Sequence, residues 1–234
     1  MPLLSVIVPV YNEAGTIRQI LEKIRLIAID KEIIVVDDGS SDGTGKILRE
    51  LEEDSVKIIH HSTNRGKGAA VLTGLNNAAS EFVIIQDADL EYDPADYLKL
   101  VAAIQEGNAD IILGARFTRG YHGLKIHKMG NRFLTTLVNL LFNADLNDCF
   151  TCYKLFRRET INSLDLKCQG FDIETEIVSK ALRSKLRIKE VPITYHPRSY
   201  TEGKKIRIKD GIEAIFSIIR CRFAGLRCRK QSKF

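Results

Sequence analysis

Four acidic side chains stand at alternate positions where an apolar run ends, in the stretch IIQDADLEYDP. They are Asp87, Asp89, Glu91 and Asp93. If this segment is extended, alternate side chains point the same way, so the four carboxylates crowd one side of the chain. Like charges at such short range repel each other unless the chain bends away or a cation lies among them. The pattern therefore predicts either a divalent metal site or a solvated acidic turn, with Asp93 and the proline after it beginning a helix.

Strand-like and helix-like segments alternate along the first half of the chain and place this cluster at the end of a strand. Strands are predicted over residues 3–10, 32–38, 56–61, 81–87 and 109–116. Helices are predicted over about 13–28, 67–79 and 94–106, with a turn and a helix capped by Ser41 or Asp42 after the second strand. Because each strand is apolar throughout and is followed by a helix, a parallel sheet covered on both faces is expected. Ligands of such sheets bind beyond the carboxyl ends of the strands, where the polar residues of this chain fall.

The second half of the chain has a different pattern. A basic, glycine-bearing loop after residue 117 is followed by a strongly apolar helix in NRFLTTLVNLLFNADL and a strand in DCFTCYKLFRRE. An amphipathic helix over 171–185, a strand over 187–198 and a helix over 210–225 follow. No repeat or linker divides the chain, so we expect a single domain over residues 1–234.

Composition excludes several classes of protein. The hydrophobic fraction of 44% and the charged fraction of 28% are those of a globular domain with a real core. No apolar run approaches the roughly 20 residues that a transmembrane helix needs, and LLSVIVPV is predicted to be a strand rather than a signal sequence. We therefore expect a cytoplasmic protein, or one peripheral to the cytoplasmic face of a membrane. The five cysteines, including the CxxC of Cys149 and Cys152, indicate reduced thiols rather than disulfides, a redox motif or a zinc site.

The distribution of charge points to an anionic surface. The net charge is only +5, but the segment RCRFAGLRCRKQSKF is rich in basic residues and has no acidic ones. Such a tail binds either nucleic acid or the headgroups of a membrane. Aromatic residues do not interleave with these cations in the stacking pattern typical of single-stranded nucleic-acid binding, so a membrane is favoured and no nucleic acid partner is expected.

Four motifs in order, SVIVPVYNE, IIVVDDGSSDGT, NRGKGAAVLTGL and QDADLEYDP, carry a resemblance to a known family. The chain resembles the family 2 glycosyltransferases, which have the GT-A fold. A fifth motif, YHPRSYTEGKKI, resembles the acceptor-side loop of their polyprenyl-phosphate branch, typified by dolichol-phosphate mannosyltransferases. The resemblance implies an α/β domain with a Rossmann-like, mostly parallel sheet flanked by helices on both faces. It also implies a nucleotide-sugar-binding half (1–116), an acceptor-side half (117–209), and an amphipathic helix with a basic tail (210–234).

A nucleotide-sugar donor supplies a reason for the acidic cluster. Its diphosphate leaving group needs a divalent cation to neutralise it, and Mg²⁺ or Mn²⁺ prefers carboxylate oxygens. The resemblance implies that Asp87, Asp89 and Glu91 are the metal site, and that Asp87 and Ala88 also touch the ribose and sugar side of the donor. The family often has glutamine at the position of Glu91. Both side chains offer an oxygen ligand, but the glutamate adds a negative charge.

The resemblance also implies a nucleotide pocket between the first two strands. Pro9 and Tyr11 would line the base pocket, where an aromatic face stacks at little entropic cost. Glu13 would bond ribose or base, while Val36 and Asp38 would form the other wall, with Asp38 accepting a hydrogen bond from a base N–H. For Tyr11 and Val36 the alternative is ordinary core packing.

Basic residues are the candidates for binding phosphate, because guanidinium groups make bidentate bonds to it. By resemblance, Arg116 and Arg198 clamp phosphates of the donor or the lipid acceptor, and Lys204 assists. Arg132 is a further candidate whose alternative is a surface role. Lys67 follows a glycine at a helix start, so it either approaches the donor phosphates or belongs to a solvated basic loop.

The implied reaction is transfer of a sugar, mannose in the branch's commonest case, to a polyprenyl (dolichyl) phosphate with inversion at the anomeric carbon. A phosphate acceptor is already ionised at neutral pH, so no strong general base is needed, and catalysis depends on positioning and charge stabilisation. The residues expected to carry it are Asp89, Arg116, Asp148 and Arg198. Asp148 would position the acceptor rather than deprotonate it.

Two other functions fit parts of the sequence. A family 2 transferase could move glucose or N-acetylglucosamine from a UDP-sugar, rather than mannose from GDP-mannose, to a lipid phosphate or to a cell-envelope glycan. For a glycan acceptor Asp148 would have to act as the base. A non-catalytic nucleotide-binding module is the other alternative, although such a module has no need of a complete DxDxE beside a diphosphate. The expected partners are the donor, polyprenyl phosphate, the membrane surface and a membrane-embedded subunit that could bring the protein there.

Overall fold

The structure is a computed structural model that describes residues 2–51, 56–117, 125–198 and 208–223. Within these ranges seven strands form one sheet in the spatial order β3-β2-β1-β4-β6-β5-β7. The strands are β1 (Leu4–Val10), β2 (Lys31–Asp37), β3 (Val56–His60), β4 (Phe82–Ile85), β5 (Ile111–Ala115), β6 (Lys154–Arg157) and β7 (Ile188–Pro192). All neighbouring strands are parallel except β6, which is antiparallel to both β4 and β5. The predicted mostly parallel sheet is confirmed.

Helices connect the strands and cover the sheet. They are α1 (Ile17–Leu26), α2 (Thr44–Glu50), α3 (Lys67–Asn77), α4 (Tyr97–Gln105), α5 (Lys125–Phe142), α6 (Arg158–Ser163), α7 (Ile173–Arg183) and α8 (Ile208–Phe223). The connections through α1 and α2 step one way along the sheet and that through α3 steps back. Because parallel crossovers are right-handed, this reversal places α3 on the opposite face from α1 and α2. Nowhere in the described ranges is a helix both long and apolar enough to cross a bilayer.

The core is built from strands that are apolar along their whole length. Every residue of β1, β4 and β5 is buried, as expected for strands with helices on both faces. Strands of both predicted halves lie side by side, since β6 pairs with β4 and β7 pairs with β5. The helices α5, α7 and α8 pack against one another. Because β1 is parallel to both of its neighbours, β2 and β4, the carboxyl ends of these three strands share one edge of the sheet. The candidate site lies at this edge.

Several predicted boundaries differ from the structure. The second helix begins at Thr44 with Gly43 as its N-cap, although Asp42 still accepts a hydrogen bond from the backbone nitrogen of Thr44 at 3.0 Å. The last predicted strand ends at Pro192 instead of continuing to residue 198. The short helix α6 was not predicted. It follows β6 directly, and a six-residue helix of mixed composition carries little periodic signal.

Candidate active site

Three segments that are distant in the sequence meet at the carboxyl edge of the sheet, and the guanidinium group of Arg198 joins them. Nη1 and Nη2 of Arg198 donate to the two carboxylate oxygens of Glu13, after β1, at 3.1 and 3.2 Å. Nη2 also donates to Oδ2 of Asp89, after β4, at 3.2 Å. Burial alone would lower the pKa of Arg198, but its bonds to Glu13 and the charge of Asp89 hold that pKa above its ordinary value. The site thus contains an arginine fixed between two carboxylates.

The acidic segment after β4 is not extended, so the predicted crowding of all its carboxylates on one side is wrong. Leu90 has a φ of 63°, in the left-handed region, which turns the chain between Asp89 and Glu91. Glu91 is buried, and its oxygens accept hydrogen bonds from the backbone nitrogen of Arg198 at 2.8 Å and from the hydroxyl of Tyr195 at 2.6 Å. Among the residues that the structure describes, no three histidine, cysteine or acidic side chains are arranged to hold a metal ion.

The last acid of the series behaves as predicted. Oδ1 of Asp93 accepts a hydrogen bond from the backbone nitrogen of Ala95 at 3.0 Å and caps a short 3₁₀ turn, Pro94–Asp96, that leads into α4. An N-cap of this kind satisfies a backbone N–H that the helix cannot satisfy itself. Asp93 is therefore a structural acid, and the carboxylates that remain for chemistry are those of Asp87 and Asp89.

The partly exposed carboxylates of Asp87 and Asp89 fit a hard divalent cation, whereas the buried carboxylate of Glu91 does not in this arrangement. Burial, followed by the neighbouring charges of Asp87 and Glu91, raises the pKa of Asp89 to about 7, against the opposing charge of Arg198. The side chains of Asp87 and Asp89 are both partly exposed and offer oxygen ligands. The oxygens of Glu91 are engaged with Tyr195 and the backbone of Arg198, so it would have to leave them in order to bind a metal.

Lys67 lies inside the acidic site, not in a solvated loop. Its Nζ is 2.7 Å from Oδ1 of Asp87 and 3.0 Å from Oε1 of Glu174 in α7. Burial alone would lower the pKa of Lys67, but the charges of Asp87 and Glu174 outweigh it and hold that pKa well above its ordinary value. Glu174 in turn pairs with the fully buried Lys154 of β6. Sequence analysis missed both Glu174 and Lys154, although a lysine inside the apolar run of β6 was a signal that a partner charge lay nearby.

The predicted nucleotide pocket is divided between exposed and buried residues. Tyr11 is exposed beside the turn that follows β1, which excludes ordinary core packing for it, whereas Pro9 and Val36 are buried. Asp38 is buried and binds its own loop: Oδ1 lies 2.7 Å from Nδ1 of His61, and Oδ2 accepts from the backbone nitrogen of Gly66 at 2.7 Å. The contacts of these residues with a nucleotide remain predictions.

Asp148 is fully buried and is bonded to Arg116. The guanidinium group of Arg116 makes a bidentate pair with it, Nε to Oδ2 and Nη2 to Oδ1, both at 2.7 Å. Oδ2 accepts a further bond from the backbone nitrogen of Arg116, and Oδ1 accepts one from the side chain of Asn131, both at 3.1 Å. The guanidinium carbon of Arg116 lies 5.2 Å from the ring centre of Tyr195. Asp148 thus orients Arg116 and has no exposed oxygen.

The remaining candidate residues are Arg132, Lys204 and Ala88. Arg132 is exposed on α5, and Lys204 lies outside the described residues. Ala88 is buried next to Asp87. The bidentate binding that the prediction assigns to Arg116 and Arg198 is, in this structure, directed to carboxylates: Asp148 for the first and Glu13 for the second. Phosphate binding by these arginines remains a prediction.

Comparison with known proteins places the chain in a family. The family model described as glycosyl transferase family 2 matches residues 5–164. The low-salt glycan biosynthesis hexosyltransferase Agl6 of Haloferax volcanii is 31% identical over 84% of this chain and 48% of its own length. The chain therefore spans about half of that relative. The polyprenol monophosphomannose synthase of Mycolicibacterium smegmatis is 29% identical over 91% of the chain and 84% of its own length.

A solved structure gives the fold. Glucosyl-3-phosphoglycerate synthase from Mycobacterium tuberculosis, in complex with Mn²⁺, uridine-diphosphate-glucose and phosphoglyceric acid, superposes with a TM-score of 0.75. It is 18% identical, and the match covers 94% of this chain and 80% of that one. The expected GT-A architecture, a mostly parallel sheet with flanking helices, is confirmed.

Proposed function

The chain belongs to glycosyl transferase family 2, and on that basis we propose that it transfers mannose from a nucleotide-sugar donor to a polyprenyl phosphate, with inversion at the anomeric carbon. The observation that carries the choice of acceptor is the burial of Asp148, whose two oxygens accept four hydrogen bonds from Arg116 and Asn131. A sugar hydroxyl must lose a proton as it attacks, and Asp148 was the candidate base for that step. A phosphate oxygen is already ionised and needs no such base. The similarity to a polyprenol monophosphomannose synthase supports the same acceptor.

The carboxyl edge of the sheet has the parts that such a transfer requires. Asp87 and Asp89 would hold a divalent cation, Mg²⁺ or Mn²⁺, which supplies positive charge to the leaving diphosphate when it is bound. Arg198 is already within reach of Asp89, so it can donate to an oxygen anion that enters beside that carboxylate. The bidentate pair with Asp148 holds the guanidinium group of Arg116 in one orientation, so little side-chain entropy remains to be lost when a phosphate approaches it.

A donor panel tests this proposal. The protein is incubated with polyprenyl phosphate and, separately, with radiolabelled GDP-mannose, UDP-glucose and UDP-N-acetylglucosamine, and the label extracted into lipid is counted. We expect label from GDP-mannose and none when dephosphorylated polyprenol replaces the phosphate. Label from a UDP-sugar alone would keep the acceptor and change the donor to the alternative. Label in a soluble glycan, with none in lipid phosphate, would overturn the proposal.

We expect the transfer to occur at a membrane surface, because a polyprenyl phosphate stays in the bilayer. Large apolar side chains are exposed along one stripe of α5 and along one stripe of α8, and the two helices pack against each other. They are Met129, Phe133 and Leu140 on α5, and Ile212, Phe216, Ile219 and Phe223 on α8. Arg132, Arg220 and Arg222 lie on the same two helices. We propose that this face enters the headgroup region of an anionic membrane on the cytoplasmic side, with the arginines on lipid phosphates.

The stripe on α8 gives a direct test. Phe216 is 68% exposed, and burial of a phenylalanine side chain contributes roughly 1.5–3 kcal/mol. Phe216→Glu is therefore expected to lower partitioning onto anionic liposomes by about tenfold or more, as measured by sedimentation at low salt. Leu26→Glu is the matched control, since Leu26 is 83% exposed on α1 and should leave partitioning unchanged.

Equal partitioning of the two variants would contradict docking through this face. A membrane-embedded partner subunit would then be the better explanation of how the protein reaches its acceptor.

The basic tail, residues 226–234, lies outside the described residues, and its removal is expected to weaken sedimentation most at low salt, where charges are least screened.

A further inference from the structure

A line of four charged side chains of alternating sign runs from the interior to the candidate site. It begins at Lys154 in β6, passes to Glu174 in α7 and Lys67 at the start of α3, and ends at Asp87 after β4. The exposed fraction of the side chain rises along the line, from 0% for Lys154 and 9% for Glu174 to 12% for Lys67 and 23% for Asp87. The line therefore runs from a fully buried lysine to a partly exposed carboxylate of the site.

The backbone around Lys67 fixes the line in place. A Cβ on either neighbouring glycine, Gly66 or Gly68, would overlap the backbone of residues 168–169. The backbone nitrogen of Ala69 donates to the carbonyl of Gln169 at 3.1 Å. The start of α3 therefore lies directly on the segment that leads into α7, and it holds the ammonium group of Lys67 beside Glu174.

Stability alone does not explain a line of four charges whose inner two, Lys154 and Glu174, are buried. Burial raises the pKa of Glu174, but Lys154 and Lys67 outweigh it and hold that pKa below its ordinary value, so the acid is ionised. Replacing a buried ion pair by apolar side chains of similar volume is often neutral or stabilising, because desolvation costs about as much as the pair returns. A charged line that ends at one side of a site is better explained by its effect on the last charge, that of Asp87.

We propose that Glu174 is a positioning residue that keeps Asp87 able to bind a cation, with Lys154 holding Glu174 in place. The Nζ of Lys67 is shared, at 2.7 Å from Asp87 and 3.0 Å from Glu174. If Lys67 had Asp87 as its only partner, it would neutralise that carboxylate and compete with a divalent cation for it. Glu174 draws the ammonium charge towards itself, so Asp87 keeps negative charge for the ion. This inference rests on the metal-assisted transfer proposed above.

A charge-balanced double variant tests the inference without any assay of sugar transfer. In Lys154→Met with Glu174→Gln one positive and one negative charge are removed, and Lys67 is left to pair with Asp87 alone. The Kd for Mn²⁺, measured by titration of free Mn²⁺ in electron paramagnetic resonance, is expected to rise about tenfold. The control is Lys189→Met with Glu106→Gln, the same substitutions in an exposed ion pair at 2.6 Å, and no change is expected there.

A third substitution separates a positioning role from a structural one. Adding Lys67→Met to the double variant removes the cation that neutralises Asp87, so the affinity for Mn²⁺ is expected to return at least to that of the wild type. If Glu174 serves only the fold, the double substitution will weaken Mn²⁺ binding by the same factor in a Lys67→Met background as in the wild type, and the inference is overturned. If the double variant does not fold, as judged by circular dichroism, Glu174→Asp replaces it, and a smaller loss of affinity is expected because the charge is retracted by one methylene.

The outcomes also separate this inference from the proposed function. Equal Mn²⁺ affinity in wild type and double variant would overturn the role of Glu174 while leaving the metal site intact. A weaker affinity in the double variant, together with no lipid product from any donor, would support the role of Glu174 and reject the proposed acceptor. A wild-type protein that binds no Mn²⁺ with or without donor would reject both.

Discussion

Replacing Asp89 by alanine is expected to lower the rate of sugar transfer by about three orders of magnitude while the fold is retained. Asp89 is one of the two carboxylates that fit a hard cation, and it is also a partner of Arg198. It adds a negative charge to a site where Asp87 and Glu91 already lie close, so its removal relieves repulsion and should not lower the Tm. The measurements are transfer to polyprenyl phosphate at saturating metal, and thermal unfolding of both proteins.

Two companion variants make the Asp89 result specific. Oδ1 of Asp89 accepts a hydrogen bond from the backbone nitrogen of Glu91 at 3.0 Å, and Asp89→Asn can keep that bond while removing the charge. Loss of transfer in both variants would assign the effect to the charge rather than to the turn. Asp93, four positions further along the chain, caps the turn before α4 and takes no part in the proposed chemistry. The Asp93→Asn variant should therefore retain nearly full activity. Undiminished turnover of Asp89→Ala, or full activity in a chelator, would remove the metal hypothesis.

Arg198→Ala is expected to lower kcat/KM by about two orders of magnitude or more, with a much smaller change in nucleotide affinity. The guanidinium group is poised between Glu13 and Asp89, and from there it can turn to an anion that develops in the transition state. It also neutralises both carboxylates in the free protein. The same variant should therefore bind Mn²⁺ more tightly than the wild type when no donor is present.

The two readouts of Arg198→Ala distinguish chemistry from scaffolding. A residue that only holds the segment after β7 in place would change the Tm and leave both kcat/KM and Mn²⁺ affinity near their wild-type values. Arg18→Ala is the matched control, because Arg18 is exposed on α1, where it pairs with Glu50, and its loss should change kcat/KM by less than about threefold. Arg198→Lys keeps the charge but loses the bidentate geometry on Glu13, so an intermediate kcat/KM is expected.

Sequence was sufficient for most elements of the fold because their signal is local. A short apolar run that is bounded by polar turns and rich in β-branched residues indicates a buried strand, and the first strand, predicted over 3–10, is found at Leu4–Val10. The parallel arrangement follows from the helices between the strands. The antiparallel direction of β6 (Lys154–Arg157) does not follow from any local pattern, because it depends on which neighbours the strand finds in the sheet.

The candidate site was predictable in composition but not in geometry. The acids of the DxDxE motif were identified, but the positive φ of Leu90 gives no signal in a leucine side chain, so the direction of Glu91 was misjudged. The partners of that glutamate, Tyr195 and Arg198, lie more than 100 positions away. Such pairings are set by how the sheet and its connections fold. A charged residue inside an apolar strand, such as Lys154, does indicate from the sequence that a partner of opposite charge lies nearby.

A nucleotide sugar is an activated compound, and water is always present as a competing acceptor. Water, unlike a phosphate, must give up a proton as it attacks, and it gains from any carboxylate that can take that proton. Asp148 is sealed against Arg116 with no exposed oxygen, so it cannot serve water in this way. Under the proposed function, the burial that favours an already ionised acceptor would also keep Asp148 from promoting hydrolysis of the donor when no acceptor is bound.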